Sequence, residues 1–177
     1  MPLSAWASTP EESITRLESV ELDGQTLTLN GTGFRSIFMM DIYQLSLYLP
    51  RLSRDVDSII QHTRPAQLRL VFLHGGVGHD MLARGWRKGF ERNQTADMMI
   101  RLEERLKQFS DLFGDIHKGD EFVFDFLSNS DTRIRCNGQV QSIIHGSEFQ
   151  HALLAIWLGT HPVQNSLKKA LLQMSEG

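Results

Sequence analysis

The sequence predicts an α+β domain, a mainly antiparallel β-sheet with helices packed on one side. Three observations predict it. Asp23-Gly24 and Asn137-Gly138 are two-residue turn signals set between short apolar stretches, and such turns join antiparallel neighbours. Phe122, Phe124 and Phe126 alternate with Val123, Asp125 and Leu127, which is the period of a strand. Met99, Leu102, Leu106, Phe109 and Phe113 recur at helical spacing. Hairpin-linked strands with helices grouped apart from them belong to the α+β class.

Taken in order, residues 8–18 are polar, and Thr9-Pro10-Glu11-Glu12 has the form of a helix start. Val20 and Leu22, then Asp23-Gly24, then Leu27 and Leu29 predict a hairpin. Asn30 to Pro50 reads as the organising stretch. Gly31 and Gly33 punctuate its start, Arg35 enters it, and one long strand is expected up to Pro50. Ile37, Met39, Tyr43, Leu45, Leu47 and Leu49 share one parity, and Phe38, Met40, Ile42 and Tyr48 share the other. Apolar side chains on both faces predict a strand covered on both sides, in the middle of the sheet.

Ser53 is the expected cap of a short helix to about His62, and Pro65 breaks it. Gln67 to Leu73 alternates as a strand, with Leu68, Leu70 and Phe72 on one face. The glycine-rich turn His74 to His79 lacks the Gly-Lys-Ser/Thr of a phosphate-binding loop and reads as a strand-to-helix connection. Asp80 is the expected cap of a helix to about Arg92, carrying Leu82, Trp86 and Phe90 inward and Arg84, Arg87, Lys88 and Arg92 on a solvated face. Thr95 starts the next helix and Gly114 ends it. Lys118-Gly119-Asp120 is a turn, the phenylalanine strand follows, and Thr132–Cys136 pairs with Gln139–Ile144. Ser147 and Gln150 have the spacing of a capping box for a helix bearing Phe149, Leu153, Ile156 and Trp157. Gly159 closes it, Pro162 stands beyond, and a last helix carries Leu167 and Leu171.

At 177 residues the chain is most simply one domain over 18–177, after an N-terminal stretch 1–17. A net charge of −3 gives no case for general nucleic-acid binding, and no apolar run is long enough to span a membrane. The single cysteine, Cys136, excludes an internal disulfide framework and reads as a sheet residue rather than a nucleophile. The histidines show no metal-ligand pairing, so no metal and no cofactor is expected. Ala5-Trp6-Ala7 has the small-x-small form of a signal cleavage site, without the charged and apolar parts of a signal. It is either an incomplete signal peptide, placing the protein in the periplasm or outside the cell, or a chance match in a flexible N-terminus of a cytoplasmic protein.

Gly31-x-Gly33-x-Arg35, Trp86-x-x-Gly89-Phe90-x-x-Asn93, Lys118-Gly119-Asp120 and Ile156-Trp157-Leu158-Gly159-x-x-Pro162-Val163 together resemble the chalcone isomerase superfamily, and more narrowly its bacterial chalcone isomerase-like members. The resemblance covers about residues 18–173. It implies a large curved antiparallel sheet carrying a layer of helices, with a ligand cleft between the layers. Arg35 matches the arginine that polarises the substrate carbonyl region in the plant enzymes. Tyr43 falls where a threonine would stand, His79 near a tyrosine, Trp86 on an asparagine and Ile156 on a hydroxyl residue. Most of the catalytic polar network is therefore replaced.

A non-catalytic branch of the superfamily binds fatty acids through the same arginine and a tyrosine. The leading expectation is thus a binding protein for a fatty acid or a similar amphipathic or aromatic anion. Arg35 would anchor the anion, Tyr43 and His79 would assist, and Trp86, Phe90 and Ile156 would line the channel. Whether it is an enzyme stays open, leaning against. The enzyme alternative is an isomerase or intramolecular lyase using Arg35, Tyr43 and His79 on an unsaturated substrate. A third reading is an interaction module in which Arg35 only pairs with Asp41 or Asp125. The sequence names neither the natural ligand nor the oligomeric state.

Overall fold

The computed structural model describes residues 16–61 and 65–174. Ala5-Trp6-Ala7 and Thr9-Pro10-Glu11-Glu12 lie outside them. Seven strands form one curled antiparallel sheet in simple sequence order: β1 (Ser19–Leu22), β2 (Gln25–Ile37), β3 (Met40–Leu49), β4 (Ala66–Phe72), β5 (Glu121–Phe126), β6 (Thr132–Cys136) and β7 (Gln139–Ile144). Among the described residues, five helices accompany it: α1 (Val56–Gln61), α2 (His79–Glu91), α3 (Ala96–Ser110), α4 (Ser147–Leu158) and α5 (Asn165–Leu171).

The strand period decides which face meets the helices. Leu45 opposes Leu70, Leu47 opposes Leu68, and Leu68 and Leu70 oppose Phe124 and Phe122 in turn. These cross-strand rows join the apolar sides of the helices in one core. The other face carries Gln67, Arg69, Arg133 and Arg135 around the fully buried Asp125. The Asp125 carboxylate accepts from Gln67 Nε2 at 2.8 Å, Arg133 Nε at 2.9 Å and Arg135 Nη2 at 3.0 Å. Those partners offset much of the cost of enclosing the charge. Asp125 therefore has no claim on Arg35.

The stretch Asn30 to Pro50 is not one strand. It is most of a hairpin, β2 and β3, whose two-residue tip is Phe38-Met39 between the paired Ile37 and Met40. The both-face apolar pattern comes from two strands and an exposed tip. No Gly, Asn or Asp marks the reversal, so the turn was invisible to turn chemistry. Phe38 and Met39 have φ of 48° and 66°, beside 49° and 81° at both Asp23-Gly24 and Asn137-Gly138. The three turns share one backbone shape, but side chains bulkier than Asn or Gly cost on the order of 1 kcal/mol each there.

Three expected caps also differ. Asp55, not Ser53, caps α1, its Oδ1 accepting from Ser58 N at 3.1 Å. Asp80 lies inside the first turn of α2, after Gly78. The Ser147–Gln150 capping box does not form, because Gln150 Nε2 donates instead to the carbonyls of Leu127 and Asp131. Thr95 does cap α3, accepting from Met98 N at 3.2 Å; that helix stops at Ser110, before Gly114.

Two close approaches fix the helices. A Cβ on Gly89 of α2 would lie 2.8 Å from Ile156 Cγ1 of α4, so only glycine allows that crossing. Asn93 then ties the ends of both helices, donating to Gly89 O and His161 O and accepting from His161 N. On the sheet, Gly31 and Gly33 let α5 lie against β2, where a Cβ would fall 2.3 Å from Ala170 O and 2.7 Å from Ala170 Cβ. Asn30 Nδ2 donates to Leu171 O at 2.8 Å across the same contact.

Candidate functional site

Arg35 and Tyr43 are direct cross-strand partners on β2 and β3, and Tyr43 is in turn paired with Phe72 on β4. Residues directly opposite in an antiparallel pair share a face. The three side chains therefore stand in one row on the helix-facing side, near the end of the sheet. There α2 and α4 leave a cavity of about 290 Å³. Its walls are Ile37, Ile42, Phe72, Val77, Met81, Leu82, Trp86, Ile156 and Val163, with Gly85 opening a gap in the surface of α2. Among the described residues, only Arg35, Tyr43 and Trp86 bring hydrogen-bonding side-chain groups to it.

Arg35 is half-buried and held from one side. A register shift between Arg35 and Ser36 disturbs the ladder, and Ser36 N donates to Gln164 Oε1 at 2.9 Å. The same oxygen accepts from Arg35 Nη1 at 3.1 Å, and Ser36 O accepts from Nη1 at 3.0 Å. Nε and Nη2 meet no acceptor among the described residues, and no described carboxylate forms an ion pair with Arg35. Asp41 accepts from Ser36 Oγ instead. The guanidinium is thus oriented by neutral groups, with its charge unmatched and part of its fork of donors unused.

Tyr43 Oη accepts a hydrogen bond from Trp157 Nε1 at 2.9 Å. That leaves its own proton to donate, and no described acceptor takes it. Burial pushes its pKa up to about 12, against smaller downward pulls from the Trp157 bond and the Arg35 charge. The phenol therefore stays a neutral donor at every physiological pH. Trp86, buried in the wall, has an Nε1 with no partner among the described residues. Its ring sits edge-on to Phe109, Phe124 and Trp157 at centroid distances of 5.1, 6.2 and 6.0 Å. The Trp86 part of the wall is thus held by aromatic packing.

Of the residues singled out from sequence, Arg35, Tyr43, Trp86 and Ile156 come together at this cavity. His79 and Phe90 do not. His79 begins α2, its ring Nδ1 donates to Phe113 O at 2.6 Å and its backbone N–H to Asp115 Oδ1 at 3.1 Å. Phe90, a turn beyond Trp86, is fully buried against Phe149. Trp157 and Gln164 were missed as site residues. Trp157 reads in sequence as one more apolar position of α4, and nothing local ties Gln164 to the site, since the Arg35 and Ser36 groups it meets lie about 130 residues away. Cys136 does not line the cavity; burial pushes its thiol up to about 11, so it is not a thiolate at neutral pH. No group of acidic, histidine or cysteine side chains suited to a metal occurs among the described residues.

The family model described as chalcone isomerase-like matches residues 12–173. Among solved structures, a fatty-acid binding protein of Arabidopsis thaliana superposes with a TM-score of 0.66 at 14% identity, over 88% of this chain and 96% of that one. At that identity the likeness concerns the fold. No curated protein matches the sequence.

Proposed function

The chain belongs to the chalcone isomerase-like family, and we propose that it binds an amphipathic carboxylate, a fatty acid or an acid of similar shape, without transforming it. The observation that carries this is the pairing of Arg35 and Tyr43. Beside the buried indole N–H of Trp86, these two donors with unused hydrogens face a mostly apolar cavity, and one of them bears an unmatched positive charge. A carboxylate has two acceptor oxygens and one negative charge, which completes both. Apolar walls with a few placed polar groups are the usual make-up of such sites. That a protein of the same fold is a fatty-acid binding protein supports the reading.

The cavity sets the tail. About 290 Å³ lies at the small end of the range for ligand pockets, roughly 300–1,000 Å³. It encloses a short or medium tail, and a longer one emerges through the mouth beside Ile37 and Met81. The isomerase alternative draws less support, because His79, its third polar group, is engaged with Phe113 and Asp115 outside the cavity.

Titration calorimetry with straight-chain carboxylic acids of increasing length tests the proposal. Affinity should rise with length and level off as the cavity fills. Arg35→Ala should weaken it by about 10- to 100-fold, the worth of a charge-assisted hydrogen bond. No binding by any member of the series, or equal binding by the variant, overturns it. We further propose a bacterial origin and export from the cytoplasm, supported by the sequence patterns alone. Recovery of the protein in the cytoplasmic fraction with residues 1–7 intact would count against export.

A further inference from the structure

We propose that the β2–β3 hairpin tip inserts into a lipid bilayer and sets the cavity mouth against the membrane surface. Phe38 and Met39 at the tip are fully exposed, and Ile37 and Met40 beside them are exposed as well. The chain closes its other two-residue hairpins with Asp-Gly and Asn-Gly, the residues this backbone shape favours. At the same backbone angles this tip carries a phenylalanine and a methionine. No contact of either side chain is recorded among the described residues, so the backbone strain and the exposure both go uncompensated there.

The shape and surroundings indicate the partner. The tip is a projection rather than a groove, which suits entry into a fluid layer. It is continuous with the cavity, because Ile37 on the hairpin and Met81 on α2 are both exposed and both line it. Across the mouth, Met81, Arg84, Gly85 and Lys88 form one exposed stripe of α2. Arg84 and Lys88 have no carboxylate partner among the described residues. Asp41, the acid beside the tip, accepts from Ser36 Oγ, and Asp80 stands at the start of α2. Apolar side chains beside unpaired cations form the usual footprint of a protein lying on anionic lipid. Docking in this pose opens the cavity toward the membrane, where an amphipathic acid resides. That last step rests on the proposed function; the docking does not.

The test is flotation with vesicles of phosphatidylcholine, with and without phosphatidylglycerol. The wild type should float with the mixed vesicles. F38N/M39G installs the turn already used at 137–138, so the fold is kept, and it should reduce vesicle affinity about tenfold or more. R84Q/K88Q should reduce binding to the mixed vesicles while leaving binding to phosphatidylcholine alone unchanged. Affinity of F38N/M39G for a soluble carboxylic acid, measured without vesicles, should equal that of the wild type. Absence of wild-type flotation overturns the proposal, as does equal flotation of F38N/M39G. So does a vesicle-free dimer that F38N/M39G dissolves, since the tip would then be a contact between copies. If flotation behaves as stated but no acid binds, the proposed function fails and the docking stands.

Discussion

Gly85 and Gly89 stand one helical turn apart on α2. A Cβ at Gly89 would lie 2.8 Å from Ile156, whereas one at Gly85 would meet nothing within 4 Å. At Gly89 the missing side chain is a contact, and it lets α2 and α4 close. At Gly85 it is a gap, and the cavity occupies it. The same helix is therefore sealed along one turn and open along the next. Glycine in a helix costs about 1 kcal/mol relative to alanine. Packing explains the one at Gly89, whereas no described contact calls for the one at Gly85.

Four substitutions test this difference. The largest effect is expected from Gly85→Phe, whose ring projects into open space and fills the cavity. Carboxylate affinity should fall about 100-fold or more while thermal unfolding is unchanged or higher, read by calorimetry on the same sample. If affinity survives, the gap is not the site. Next comes Gly89→Val, which forces branched atoms into Ile156 and should cost about 2–3 kcal/mol in urea unfolding. Adding Ile156→Val should return part of that loss, a coupling that a generic helix effect would not show.

Tyr43→Phe follows. It removes a donor and should weaken carboxylate binding roughly 10-fold. It also leaves Trp157 Nε1 without an acceptor, for about 1–2 kcal/mol of stability. The same residue predicts an alkaline signature. The folded protein holds the Tyr43 proton up to about pH 12, but the unfolded chain releases it near 10. Stability from this group is complete below pH ~10 and lost as pH rises to ~12, by about 2–3 kcal/mol. Urea midpoints across that interval should fall in the wild type and fall less in Tyr43→Phe. The smallest effect is that of Gly85→Ala, which should stabilise by about 0.5–1 kcal/mol and cost little affinity.

Most of the fold could be read from the chain, because its strands follow period 2 and its helices the helical spacing. The Asp23-Gly24 and Asn137-Gly138 turns were legible for the same local reason. The Phe38-Met39 turn was not, since a turn without its usual residues has no local sign. At the site, Arg35 and Tyr43 could be named from resemblance, but not that they are cross-strand partners; that follows from the hairpin the sequence concealed. His79 was placed by a register through a glycine-rich turn, where neither period applies. Gln164 and Trp157 act through contacts between distant segments, which no local pattern encodes.

The packing of α5 on the Gly31–Gly33 stripe has a consequence for biosynthesis. β2 leaves the ribosome well before α5, the helix that packs on it. Until then the stripe and Arg35 lack their cover, and the early sheet leaves surface exposed that only a distant segment can pack. A chain stalled before residue 164 would therefore present most of the sheet without Gln164, the residue that orients Arg35.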